Sequence, residues 1–214
     1  MRLFTDSALI LRVRPSGEAN REAWILTAEE GVVRATVFGG PKSKLRAYVA
    51  PYHCGKLWIY RDPVRDSRKI TDFDVRSWKP GIRESYERSS AAAAIAETIL
   101  AGYGGGGAWV ETFGLAEASL GALETADPGG CERSFIYFLW KWAEVLGIRP
   151  DLSETEDTGA LGPGARAWLT AALGLSPPQM ARRSMDGVSA RQARLFVTTI
   201  MGNALGKRLG TWDF

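Results

Sequence analysis

Apolar and polar positions alternate with a period of about two over the first third of the chain, the pattern of half-buried strands. Ala8-Leu9-Ile10-Leu11-Arg12-Val13-Arg14 ends in alternation and stops at Pro15. Ala23-Trp24-Ile25-Leu26-Thr27 is a β-rich run. Glu29-Glu30-Gly31 reads as a hairpin turn into Val32-Val33-Arg34-Ala35-Thr36-Val37-Phe38, and Gly39-Gly40-Pro41 breaks that strand. Lys56-Leu57-Trp58-Ile59-Tyr60-Arg61 predicts a fourth strand, closed by Asp62-Pro63. Arg68 to Trp78 predicts a fifth, with Ile70, Asp72, Asp74 and Arg76 on one face and Thr71, Phe73 and Val75 on the other. Lys42 to Ala50 leaves room for a helix between the third and fourth strands. Short strands at this density predict a small closed barrel or a sandwich.

After Lys79-Pro80-Gly81 the period lengthens to that of helices. Ser89 to Leu100 is rich in Ala and long-chain residues, which are strong helix formers. Trp109 to Thr125 carries Val110, Phe113, Leu115, Ala118 and Leu123 at helical spacing. Cys131 to Leu146 is apolar on so wide a face that it predicts a central buried helix. Ala165 to Leu173 reads as a short helix broken by Ser176-Pro177-Pro178. Ser189 is placed as the N-cap of a last helix running to about Leu209. Gly104 to Gly107 reads as a linker and Ser153 to Gly164 as an acidic loop. The organisation expected is a β-module over residues 1–79 and an all-α module over residues 80–214.

Composition narrows the class without naming it. Of 214 residues, 45% are hydrophobic and 24% charged, as in ordinary globular proteins, so overall disorder is excluded. The early apolar run, Ala8 to Leu11, is too short for a signal-peptide core, and no stretch reaches the roughly 20 apolar residues of a membrane span. Two cysteines, Cys54 and Cys131, cannot build a disulfide framework, so a reducing cytoplasm is the expected compartment.

The net charge of +3 hides a segregation. Residues 1–80 hold 15 bases and 9 acids, and residues 81–157 hold 13 acids and 5 bases. Between Glu30 and Asp62 there is no acid, whereas Arg34, Lys42, Lys44, Arg46, Lys56 and Arg61 are all present. A basic patch on a small barrel is the electrostatic footprint of a nucleic-acid binder. Trp58 and Tyr60, two apart on a strand, share a face. Exposed, they could stack on unpaired bases; buried, they would line the barrel interior. Gly39-Gly40 would let backbone approach a phosphate, and Lys42, Lys44 and Arg46 would point the same way if extended. The order of a P-loop is absent. Arg182, Arg183, Arg191, Arg194, Lys207 and Arg208 form a second basic region, either an extension of the nucleic-acid path, a partner site or a solvated helix face.

Catalytic chemistry is thin. His53 is the one histidine, and its neighbour Cys54 would point to the opposite face of a strand. Asp72 and Asp74 could hold magnesium as in a nuclease, or form a solvated polar face. A binding protein rather than an enzyme is expected, with no metal and no cofactor. An RNA-binding barrel and a metal-dependent nuclease are the alternatives.

Several segments resemble the bacterial DNA repair protein RecO family. They are Ala8 to Glu18, Leu26 to Gly31, the segment from Gly39 to Arg46, Leu57 to Tyr60, Trp142 to Leu152 and Leu205 to Leu209. The resemblance implies an α+β chain, with a five-stranded OB-fold β-barrel followed by an all-α C-terminal domain. It implies binding of single- and double-stranded DNA, annealing of complementary strands, and a role in recombination, DNA damage repair and the SOS response. It also implies RecR, in some cases RecF, and the tail of single-stranded-DNA-binding protein as partners in loading RecA, with a nucleoid-associated location. Many members carry a four-cysteine zinc element after the segment equivalent to Pro150-Asp151-Leu152, and no cysteine follows it here.

Overall fold

The computed structural model describes residues 2–40, 43–62, 64–65, 67–102, 107–153 and 161–214. Lys42, most of the glycine run and most of the acidic loop lie outside the described residues. The chain forms two compact units: Met1–Lys79 with Trp109–Phe113, and Pro80–Ala108 with Gly114–Phe214.

The first unit is a closed five-stranded barrel. Its strands are β1 (Arg2–Ser16), β2 (Asn20–Thr27), β3 (Gly31–Val37), β4 (Cys54–Asp62) and β5 (Ser67–Ser77), with the short helix α1 (Lys44–Tyr48) between β3 and β4. The order around the barrel is β1-β2-β3-β5-β4. All pairings are antiparallel except β3 with β5. The long β1 is shared: Arg2 to Leu9 pair with β4, and Ala8 to Ser16 pair with β2. Ala8, Ile10, Ala23, Ile25, Val33, Ala35, Val37, Leu57, Ile59, Ile70 and Phe73 fill the interior. Closure removes the free edges that would otherwise template aggregation.

Three bulges reset the alternation that the sequence pattern assumes to be continuous, one of them at Arg76, between the pairs Cys54 with Ser77 and Gly55 with Val75. Leu11 is the extra residue between the pairs Ile10 with Ile25 and Arg12 with Trp24. Thr71 is the extra residue between Ile59 with Ile70 and Trp58 with Asp72. Ile70 therefore turns into the core beside Phe73, not outward beside Asp72 as strict alternation predicts. At Gly55 a Cβ would collide with the Asp74 carbonyl oxygen, so only glycine allows β4 to approach β5 this closely.

The second unit is all helical: α2 (Tyr86–Ala101), α3 (Trp109–Leu123, of which Trp109–Phe113 belong to the first unit), α4 (Pro128–Val145), α5 (Pro163–Ala171), α6 (Pro177–Arg182) and α7 (Gly187–Leu205). Helix α4 is the core, with Phe135, Phe138, Leu139, Trp140 and Trp142 buried. Two of its buried rings are tied to backbone carbonyls: Trp140 Nε1 donates to that of Leu169 at 3.0 Å and Tyr137 Oη to that of Leu175 at 2.9 Å. Trp212 packs against Phe135 and donates to Thr98 Oγ1 at 2.8 Å.

Three helix readings are corrected. The buried stripe of α3 runs through Phe113, Ala116, Leu120 and Leu123, and leaves Val110 and Ala118 exposed. Ser176-Pro177-Pro178 starts α6 instead of merely ending α5: proline is preorganised for the first turn, and Gln179 Oε1 accepts from the Ser176 N–H at 2.9 Å. The N-cap of α7 is Asp186, which accepts from the N–H groups of Val188 and Ser189 at 2.9 Å; Ser189 lies inside the first turn. The helix stops at Gly206, whose φ of 67° suits glycine, so Lys207 and Arg208 follow the helix.

Candidate nucleic-acid interface

On β4, Leu57 and Ile59 point into the core, which sends Lys56, Trp58 and Tyr60 to the outer face. The two aromatics are half-buried and do not line the interior. Lys56 Nζ lies 5.4 Å from the Trp58 ring centroid. Across the β4–β5 ladder, Lys56 faces Asp74, Trp58 faces Asp72 and Tyr60 faces Lys69. Lys69 Nζ lies 5.0 Å from the ring of Phe38, which follows β3 and is 47% exposed. The barrel thus carries a band of cations and rings, Lys56, Trp58, Tyr60, Lys69 and Phe38, with Asp72 and Asp74 beside its Lys56–Trp58 end. Exposed rings offer sequence-tolerant stacking surfaces for bases, and the cations offer phosphate contacts.

Phe38 and Lys69 do not stand out in the sequence. The available signal is an aromatic directly before Gly39-Gly40 and the basic segment. The parallel pairing of β3 with β5, through Thr36 and Lys69, is what brings the two side chains together.

The other expected residues are distributed differently. Arg61 is exposed at the end of β4, opposite Arg68. Arg34 is exposed on β3, in register with Trp24 and 3.8 Å from Glu22, so it belongs to another wall of the barrel. Lys44 and Arg46 lie in α1, not in an extended segment, so the two side chains diverge. Lys44 is exposed; Arg46 is half-buried and donates to the Ala19 carbonyl at 3.4 Å. Asp72 and Asp74 are exposed, and Asp74 lies 3.8 Å from Arg76. Among the described residues, no three His, Cys, Asp or Glu side chains gather as a metal site. His53 is buried, with its Nδ1 2.7 Å from the Tyr48 carbonyl and its ring edge-on to Trp78.

In the helical unit the second basic set separates. Arg194 is an internal strut: it pairs with Glu132 at 3.3 Å, donates to the carbonyls of Trp212 and Phe214, and lies 4.8 Å from the Phe214 ring. Arg208 pairs with Asp213 at 2.6 Å. Arg182 lines a cleft with Asp127 and Arg133, and Arg183 lines another with Trp168 and Asp186. Arg191 and Lys207 are exposed. Beside α7 runs an apolar groove of about 720 Å³, lined by Ile148, Pro150, Leu195, Phe196, Thr199 and Ile200.

Comparison with known proteins accords with both halves. The family described as "Recombination protein O N terminal" matches residues 1–77, and "Recombination protein O C terminal" matches residues 83–209. A Rubrobacter xylanophilus protein named "DNA repair protein RecO" is 32% identical over 179 residues, covering 81% of this chain and 69% of that protein. Proteins of the same name from two strains of Desulfitobacterium hafniense are 27% identical over 168 residues, 78% of this chain; the chain spans 60% of their length.

Proposed function

The chain belongs to the recombination protein O family of DNA repair and recombination proteins, and from that premise we propose that it is a non-catalytic recombination mediator. It binds single- and double-stranded DNA, anneals complementary strands, and helps load RecA onto DNA covered by single-stranded-DNA-binding protein. RecR, and in some settings RecF, are its partners, and its working location is the nucleoid. The observation that carries this reading is the band of Lys56, Trp58, Tyr60, Lys69 and Phe38 on the outside of the barrel. Annealing requires charge neutralisation and strand alignment, which such a surface supplies without a catalytic group. Arg61 and Lys44 extend the positive potential. The apolar groove beside α7 suits the apolar-tipped, acidic tail of single-stranded-DNA-binding protein, with Arg191 one turn before Leu195 on the same helix.

The test is a salt titration of DNA binding. Removing one cation that neutralises a phosphate of a single strand lowers the slope of log K against log salt by about 0.7. Replacing Lys56, Arg61 and Lys69 together by Gln should therefore lower it by about 2. An unchanged affinity and slope would remove the band as the DNA site. Tighter binding to RNA than to DNA of equal sequence would move the assignment to RNA.

A further inference from the structure

The barrel has a second outward cation–aromatic station, separate from the band on β4 and β5. Trp24 on β2 has Ala23 and Ile25 directed into the core, so its indole belongs to the outer face. The Arg14 guanidinium lies 5.6 Å from the Trp24 ring centroid. The register places Trp24 between Arg12 of β1 and Arg34 of β3. The bulge at Leu11 creates this arrangement: it absorbs the one buried residue between Ile10 and Arg12 and returns Arg12 and Arg14 to the outside. Arg14 thus lies over the indole and Arg12 and Arg34 flank it in register, while Glu22 stands opposite Arg14 and 3.8 Å from Arg34 on the same face.

The two stations sit on different walls. Trp24 lies beside the C-terminal half of β1, which pairs with β2, and Trp58 beside the N-terminal half, which pairs with β4. In the closed order β1-β2-β3-β5-β4, strands β2 and β4 flank β1 from opposite sides. The β1 residues in register with them, Arg12 and Thr5, are seven positions apart, about 23 Å along the strand. Their outward normals diverge because the sheet is closed.

We propose that Trp24, with Arg12, Arg14 and Arg34, is a second single-strand site, so that one barrel holds two unpaired strands at once. This rests on the proposed DNA-binding function and adds to it a second strand with its own location. The occupant follows from charge complementarity: a polyanion with exposed π-faces satisfies both the cations and the ring, which a duplex with stacked bases does not. Arg14 is exposed, so it can turn from the ring to a phosphate as a base takes its place.

The test counts strands. Native mass spectrometry and calorimetric titration with a short oligo(dT), too short to span both walls, should give two equivalents per full-length chain. Trp24→Leu and, separately, Arg14→Ser should each weaken one equivalent about tenfold or more, the scale of a missing base–aromatic stack. Trp58→Leu should weaken the other. Arg14→Ser changes an exposed side chain, so it reports on the site even where Trp24→Leu disturbs folding. One equivalent in the wild type, abolished only in Trp58→Leu, overturns the second site and leaves the proposed function standing. No DNA binding by the wild type overturns both.

Discussion

Replacing Arg194 by Met separates a structural arginine from a DNA-binding one. Its side chain is 19% exposed and ties α7 to α4 and to the chain end, through Glu132 and the carbonyls of Trp212 and Phe214. A hydrogen bond to a charged group contributes about 1.5–3 kcal/mol, and an acceptor left unpaired in a buried place costs a similar amount. Met keeps a side chain of similar length but removes the guanidinium, which lies 5.9 Å from the Phe135 ring and 4.8 Å from that of Phe214, so the polar ties and these cation–ring contacts are lost together. Two carbonyl hydrogen bonds and one partly screened ion pair give about 2–4 kcal/mol after solvent compensation. In a chain of this size that lowers Tm by roughly 4–16 °C. Urea unfolding followed by tryptophan fluorescence measures it, because Trp212 sits beside the ties that Met removes. DNA affinity and its salt slope should not change below the new midpoint. An unchanged urea midpoint together with weakened DNA binding would refute the reasoning and return Arg194 to the DNA-binding surface.

Two further outcomes follow from the same geometry. Gly55→Ala should destabilise the barrel by about 1–3 kcal/mol, the scale of overpacking, since the new Cβ meets the Asp74 carbonyl; a thermal melt unchanged from wild type would refute this clash. The hydroxyl and N–H of Ser189 hold the Asp186 carboxyl below its ordinary value of 3.8, so its stabilisation is complete above that pH and is lost as pH falls through the depressed folded value. The urea midpoints of wild type and Asp186→Asn should converge as pH drops through this window; a gap independent of pH would contradict the assignment.

The barrel is legible because inward residues such as Ile25, Val33, Leu57 and Ile59 recur at every second position. What the period cannot carry is its interruptions. Leu11 and Thr71 each insert one residue into a ladder, and nothing local distinguishes them from neighbouring positions that keep the alternation. The first residues of β1 escape the pattern because Arg2 to Ser7 has no apolar alternation; it is a strand through its pairing with β4. The same limit governs the site. Lys56, Trp58 and Tyr60 share one strand and can be read together, whereas Lys69 meets Phe38 through a parallel pairing of strands distant in sequence. Arg194 reads as part of a basic surface because charge along a sequence does not reveal burial; its partners come from α4 and the last residues.

The carboxylates on the barrel face give the proposed interface a direction. Asp72 stands opposite Trp58 and Asp74 opposite Lys56, while Lys69 stands opposite Tyr60, with Arg61 the next residue on β4. Two unit charges 4 Å apart interact by about 1 kcal/mol in bulk water and by about 4 kcal/mol near a protein surface. A phosphate over Trp58 would therefore be repelled by Asp72 about as strongly as Lys56 attracts it. A phosphate over Tyr60 faces Lys69 across the ladder, with Asp62 two residues further along β4. A strand held here would place its backbone toward Tyr60, Lys69 and Phe38 and offer bases to Trp58, where an uncharged ring face is indifferent to the carboxylates. Salt screens the phosphate–cation attraction over a Debye length of about 8 Å and leaves the stacking on Trp58 largely intact. The cations of the band should thus dominate at low salt and its tryptophan at high salt, a division that a uniformly basic barrel would not produce.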